Sequence, residues 1–208
     1  MLRKLVPLML VTLVVAIPLS AQQLSITPFV GTMVPLKTMV IDTAGGTYFR
    51  VTPHTIYGLR LSRQMSSALT VQLEGGIGRG EFEAIAGSAP IQIASSVYFA
   101  DLRARFRVAG SDATNIGIIG GAGWTQFSNG LFDTAHAENS GNKLAGRVTG
   151  VVGLGVKAHL TGNASFTADL TDRIHEQSVE SPTLSPGAIK PTQHDLAMTF
   201  GLNFPLGS

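Results

Sequence analysis

Cysteine is absent from all 208 residues, which excludes a disulfide framework, a thiolate metal site and a lipid-modified N-terminal cysteine. Charge is also scarce: 13% of residues are charged, roughly half the proportion usual for a soluble domain, and 24 are glycine. Long apolar runs are missing too. Only Leu5 to Ile17 is nearly continuous, interrupted by Pro7 and Thr12, and no stretch reaches the roughly 18 residues of a transmembrane helix candidate.

That run has an address-like setting. Arg3 and Lys4 precede it, Pro18-Leu19-Ser20-Ala21 closes it with mostly small residues, and Gln22-Gln23 follows. A basic start, a short apolar core and a small-residue end form a secretory signal peptide, so residues 1–21 are expected to be removed and residues 22–208 to form one domain. The formal net charge of +2 belongs to this segment. Removing Arg3 and Lys4 leaves 13 basic against 13 acidic residues, and with that balance the case for a nucleic-acid partner disappears.

What the remaining chain has is alternation. Tyr98, Ala100, Leu102, Ala104, Phe106 and Val108 share one face, with Asp101, Arg103, Arg105 and Arg107 between them. Leu196, Met198, Phe200, Leu202 and Phe204 alternate with Ala197, Thr199, Gly201 and Asn203. Similar two-residue periods occur around Tyr57–Ser62, Leu69–Glu74, Arg147–Leu160 and Phe166–Thr171, and Leu24–Val34 and Ile116–Phe127 complete eight candidate strands. Eight strands are enough to close a barrel.

The connections fall into two sets. Ser66-Ser67, Gly110 to Ala113 and Thr161-Gly162-Asn163 are short turns of residues that bond their own backbone or accept positive φ. Pro35–Pro53, Glu83–Ser95, Ser128–Lys143 and Gln177–Gln193 are expected to be long loops. Short and long alternate, so an up-and-down barrel collects all short turns at one end, the asymmetry of outer-membrane barrels.

Two readings of the faces compete. In a soluble lipocalin-like barrel the apolar set would line a ligand cavity and the polar set would meet water. In a membrane barrel the apolar set faces lipid, and the glycine-, serine- and threonine-rich set with its few charges fills a narrow lumen. The second reading fits the poverty of lysine and glutamate, and only a closed barrel satisfies strand backbones in hydrocarbon. Tyr57, Tyr98, Trp124, Phe127 and Phe204 near strand ends are expected to form aromatic girdles.

On these eight segments and the closing run Leu196 to Phe204, the chain resembles the small eight-stranded outer-membrane barrels, the group of the OmpA transmembrane domain and the OmpX-like proteins. The resemblance implies an all-β, eight-stranded antiparallel up-and-down transmembrane β-barrel in a bacterial outer membrane, surrounded by outer-membrane lipid and lipopolysaccharide. It also implies that Phe200, Leu202 and Phe204 form the C-terminal signal read by the outer-membrane assembly machinery, although Pro205-Leu206-Gly207-Ser208 follow the aromatic residue. An OmpA-like peptidoglycan-binding domain after this strand is not expected.

Membrane topology would place Arg60, Glu74, Asp101, Arg103, Arg105, Arg107, Arg147, Lys157, His159 and Asp169 in the lumen, where isolated charges are costly and ion pairing is expected. Glu74 and Asp101 are placed to pair with the arginines of the fourth strand, Arg103 first. Such a network would plug the barrel, and a narrow passive pore is the alternative. A lipid A-modifying enzyme is the remote reading: catalysis needs a serine beside an activating histidine, and His175-Glu176-Gln177-Ser178 is the nearest local arrangement. No catalytic, cofactor or metal site is expected. Function is expected in the long loops, through an extracellular partner that no motif identifies.

Overall fold

In the computed structural model, the described residues are 24–36, 40–42, 47–86, 89–129, 143–144, 146–160, 163–176, 179–180 and 192–206. Residues 1–21, assigned above to a signal peptide, lie outside them. Eight long strands build the wall: β1 (Leu24–Pro35), β4 (His54–Gln64), β5 (Leu69–Ala86), β6 (Ala89–Gly110), β7 (Thr114–Asn129), β9 (Arg147–His159), β10 (Ser165–Glu176) and β12 (Thr192–Leu206). Each pairs antiparallel with the next, and β1 pairs with both β4 and β12, so the sheet closes. Closure pairs both edges of every long strand and leaves no open ladder among them.

Side-chain chemistry sets which face is inside. Along β10 the inward set Ser165, Thr167, Asp169, Thr171, Arg173 and His175 is buried, and along β12 Phe200, Leu202 and Phe204 point outward, each more than 40% exposed. Val148, Val152 and Leu154 on β9 are also outward and more than half exposed. A water-soluble barrel buries its apolar face; here that face is on the outside.

The short turns are built from local hydrogen bonds. Ser66 Oγ accepts from the amides of Ala68 and Leu69 at 3.3 and 3.1 Å, and the Ser111 amide donates to Thr114 O at 2.8 Å. Gly110 leads into that second turn with φ of 94°, a backbone conformation that favours glycine.

At the opposite end the expected long loops hold more strand than the periodicity indicates. Where a loop over Glu83–Ser95 is expected, β5 and β6 continue to Ala86 and from Ala89, paired throughout. At 18 and 22 residues they far exceed the roughly 9–11 needed to cross a bilayer. The segment Pro35–Pro53 contains β2 (Val40–Asp42) and β3 (Thr47–Val51), and β3 pairs with the extension of β5. Pro53 lacks an N–H and interrupts the run from β3 into β4. Thr52 repairs the gap, its hydroxyl donating to Glu81 O at 2.8 Å and accepting from Glu81 N at 3.0 Å. The short strands β8 (Lys143–Leu144) and β11 (Val179–Glu180) pair with each other between the third and fourth long connections.

Candidate functional site in the lumen

The lumen is stacked in three layers. At mid-height, strand register brings Arg60, Glu74 and Asp101 side by side, because Arg60 is the direct partner of Glu74 on β5 and Glu74 of Asp101 on β6. Glu74 is the hub. It accepts from Arg60 Nε at 2.8 Å, from Arg103 Nη1 at 3.0 Å and from Arg173 Nη2 at 3.1 Å, and it is 1% exposed. Asp169 on β10 faces Arg60 Nη2 at 2.7 Å, with Arg103 and Arg105 further off at 3.6 and 3.7 Å. Each carboxylate thus answers guanidiniums from other strands, the arrangement that offsets the desolvation of buried charge.

Asp101 departs from the expected pairing with Arg103. The two lie two residues apart on one strand with parallel side chains, and Asp101 is instead held across the lumen by Arg173, with Nη1 to Oδ1 at 3.0 Å. Arg173 is the residue that the periodicity misses, and it links Glu74 to Asp101. Glycines make the room: a Cβ on Gly123 would collide with the Asp101 carboxylate, and one on Gly155 with that of Asp169.

The other expected lumenal charges stand elsewhere. Arg107 pairs with the exposed Asp112 at the short-turn rim. Lys157 and His159 line the lumen below the charged layer. Arg147 takes the inward parity at the long-loop end of β9, opposite Thr125 and eight residues along the strand from Gly155.

Above the charged layer apolar side chains join polar ones such as Thr125, Thr149, Gln193 and Asp195 on the inward parity, where a polar lumen throughout is expected. Phe29, Met33, Ile56, Val97, Phe99 and Val151 are all 5% exposed or less. Arg173 lies over the Phe99 ring at 4.1 Å and Arg60 over Phe29 at 5.6 Å, so the aromatic rings cap the guanidiniums in cation–π geometry. Phe127, expected in an outer girdle, is buried here at 1% exposure, between His54 and His175 at centroid distances of 6.1 and 6.2 Å. Its parity is that of Thr125, which faces in, and position near a strand end does not override it. Tyr57, Tyr98, Trp124 and Phe204 do face outward.

His175 is tied on both sides of its ring. Its Nε2 lies 2.8 Å from Asp195 Oδ2 and its Nδ1 2.7 Å from Glu176 O, so both ring nitrogens are occupied. Ser178 lies outside the described residues. Among the described residues, no group of three or more His, Asp or Glu side chains is arranged to hold a metal ion.

Below the charged layer is a cavity of about 710 Å³, walled by hydroxyl and amide side chains and reaching the Ser66-Ser67 turn. Asn203 Nδ2 donates to Ser25 Oγ and Thr27 Oγ1, both at 2.8 Å, and bridges the β1–β12 seam beside Pro28, which has no amide hydrogen to give.

A closed eight-stranded antiparallel barrel with an apolar exterior and a charged interior has the fold of the small outer-membrane β-barrels. Solved structures agree. The chain is similar to the outer membrane protein OprG from Pseudomonas aeruginosa with a TM-score of 0.63 at 16% identity, covering 90% of this chain and 97% of that one. Neisserial surface protein A gives 0.56 at 9% identity, covering 90% and 98%. The outer membrane protein AlkL, solved in lipid bilayers, gives 0.54 at 12% identity, covering 90% and 92%. No family model and no curated protein matches the sequence.

Proposed function

We propose that this protein is a bacterial outer-membrane barrel that conducts nothing through its lumen and serves as a rigid scaffold, presenting its long connections at the cell surface to an extracellular partner. The observation that carries this reading is the charged layer, in which Arg173 reaches from β10 to Glu74 on β5 against the ring of Phe99, while Arg60 lies against that of Phe29. A lumen so filled leaves the surface connections as the place for recognition. The extended β5–β6 hairpin, joined by β3, gives those connections a stiff base.

The outward apolar face supports contact with outer-membrane lipid and lipopolysaccharide. Phe200, Leu202 and Phe204, all on the lipid side of β12, are proposed as the signal for the assembly machinery. Export through residues 1–21 completes the route.

Cell fractionation combined with gel migration tests this reading. The protein should sediment with the outer membrane and, extracted in detergent, migrate faster unheated than boiled. Recovery from the soluble periplasmic fraction would overturn the reading in favour of a soluble barrel that binds an apolar ligand.

A further inference from the structure

The lower lumen has a charge imbalance that the plug leaves unanswered. In the middle layer four guanidiniums, those of Arg60, Arg103, Arg105 and Arg173, face three carboxylates, those of Glu74, Asp101 and Asp169. The excess sits on the turn side. Arg105 is only loosely held by Asp169, with Nη1 3.7 Å from Oδ1, and its Nη2 turns to the neutral acceptors Asn115 Oδ1 and Gly155 O, each at 3.1 Å.

Lys157 adds a second cation to the same wall. Its backbone partners are Asn115 on β7 and Thr167 on β10, so it stands beside the residue that Arg105 contacts. Among the described residues the Lys157 ammonium has no hydrogen-bond or ion-pair partner. Among the described residues Asp112 is the one carboxylate lining this cavity, and Arg107 already engages it at the mouth. The cavity reaches up to Arg60 and Arg105 of the charged layer, and its walls supply neutral hydrogen-bonding groups such as Ser62, Thr70, Ser165 and Thr167. Two adjacent cations in a recess with low-dielectric walls attract and hold an anion, and an oxyanion suits donors spread round such a wall.

We propose that this vestibule, open toward the short turns, is a binding site for a phosphate group, held between Lys157 and Arg105. Its volume of about 710 Å³ exceeds what a phosphate alone needs, and the hydroxyl-rich wall suits a small polar ester. Free phosphate esters and the headgroups of inner-leaflet phospholipids carry the same group, and the test separates them.

The full chain, folded in lipid-free nonionic micelles at low salt, is titrated with inorganic phosphate and with glycerol 3-phosphate by calorimetry, and separately with short-chain phosphatidylglycerol. Saturable one-site binding is expected, weakened at least tenfold in Lys157→Gln and restored in Lys157→Arg. Tighter binding of glycerol 3-phosphate than of the lipid assigns the site to a free solute, and the reverse order assigns it to a headgroup. Asn115→Asp, which sets a carboxylate beside both cations, should abolish binding and serves if Lys157→Gln loses its heat-modifiable migration. Absence of saturable phosphate binding to the folded wild type, or equal affinity in folded Lys157→Gln, would overturn the proposal.

Discussion

Arg173 Nη2 on β10 lies 3.1 Å from Glu74 Oε1 on β5, four strands away by either route round the eight-stranded wall. One side chain therefore spans the barrel, and the same guanidinium also holds Asp101. The wall is tied to itself through its centre as well as round its circumference.

Removing that tie should be costly. Arg173→Ala leaves Glu74 and Asp101 short of a partner in a buried layer, and breaking a buried pair from one side costs about 3–5 kcal/mol. Arg173→Lys keeps the charge but loses the planar fork that serves two carboxylates, so it should fall between wild type and Arg173→Ala. Denaturant unfolding of the micelle-folded barrel, followed by gel migration, measures both. A loss below about 1 kcal/mol in Arg173→Ala would place the network outside the stability of the fold.

The glycines of the inner face should tolerate no enlargement where charges pack against them. A Cβ at Gly155 would meet Arg105 Nη1 and Ile119 Cδ1 at 3.2 Å in addition to the Asp169 carboxylate. Gly155→Val is expected to destabilise by at least about 1–3 kcal/mol through overpacking and displacement of the Asp169 pairs. By contrast Gly120, whose Cβ would meet nothing within 4 Å, should accept alanine with little change in the unfolding midpoint.

The outward face should respond to charge according to depth. Leu154, midway along β9 and 55% exposed, is expected to lose about 2–4 kcal/mol as Leu154→Arg in bilayers, whereas Ile116→Arg, near the short-turn rim, should lose at most about 1 kcal/mol. Folding equilibria in lipid vesicles give the comparison. Equal, small effects at both positions would mean that this face meets water.

How much of this was legible in sequence depends on where each strand leaves the apolar band. The runs Tyr98–Val108 and Leu196–Phe204 stand out because one face is apolar and points outward while the other lines the lumen, and they lie within β6 and β12. On β10 the contrast fades at Thr171-Asp172-Arg173. Asp172 points outward, half-buried, and its Oδ2 lies 2.8 Å from His194 Nδ1, so polar residues occupy both faces while backbone pairing continues to Glu176. A strand that looks finished there hides Arg173 and His175. The same loss of contrast makes the β5–β6 hairpin read as a loop. Phe127 misleads in the opposite way, because an apolar residue near a strand end looks outward-facing although the upper lumen also takes apolar side chains. Only the unbroken count of two from Thr125 to Phe127 signals that it turns inward.

Planar-bilayer recording tests the central claim, a lumen closed by the Glu74-centred layer, most directly. The folded wild-type protein should insert without producing single-channel events, because the Arg60, Arg103 and Arg173 guanidiniums and the rings of Phe29 and Phe99 occupy the cross-section. Reproducible single-channel conductance from the wild type, altered in size or gating by Glu74→Ala, would contradict the account and make the same layer the gate of a pore.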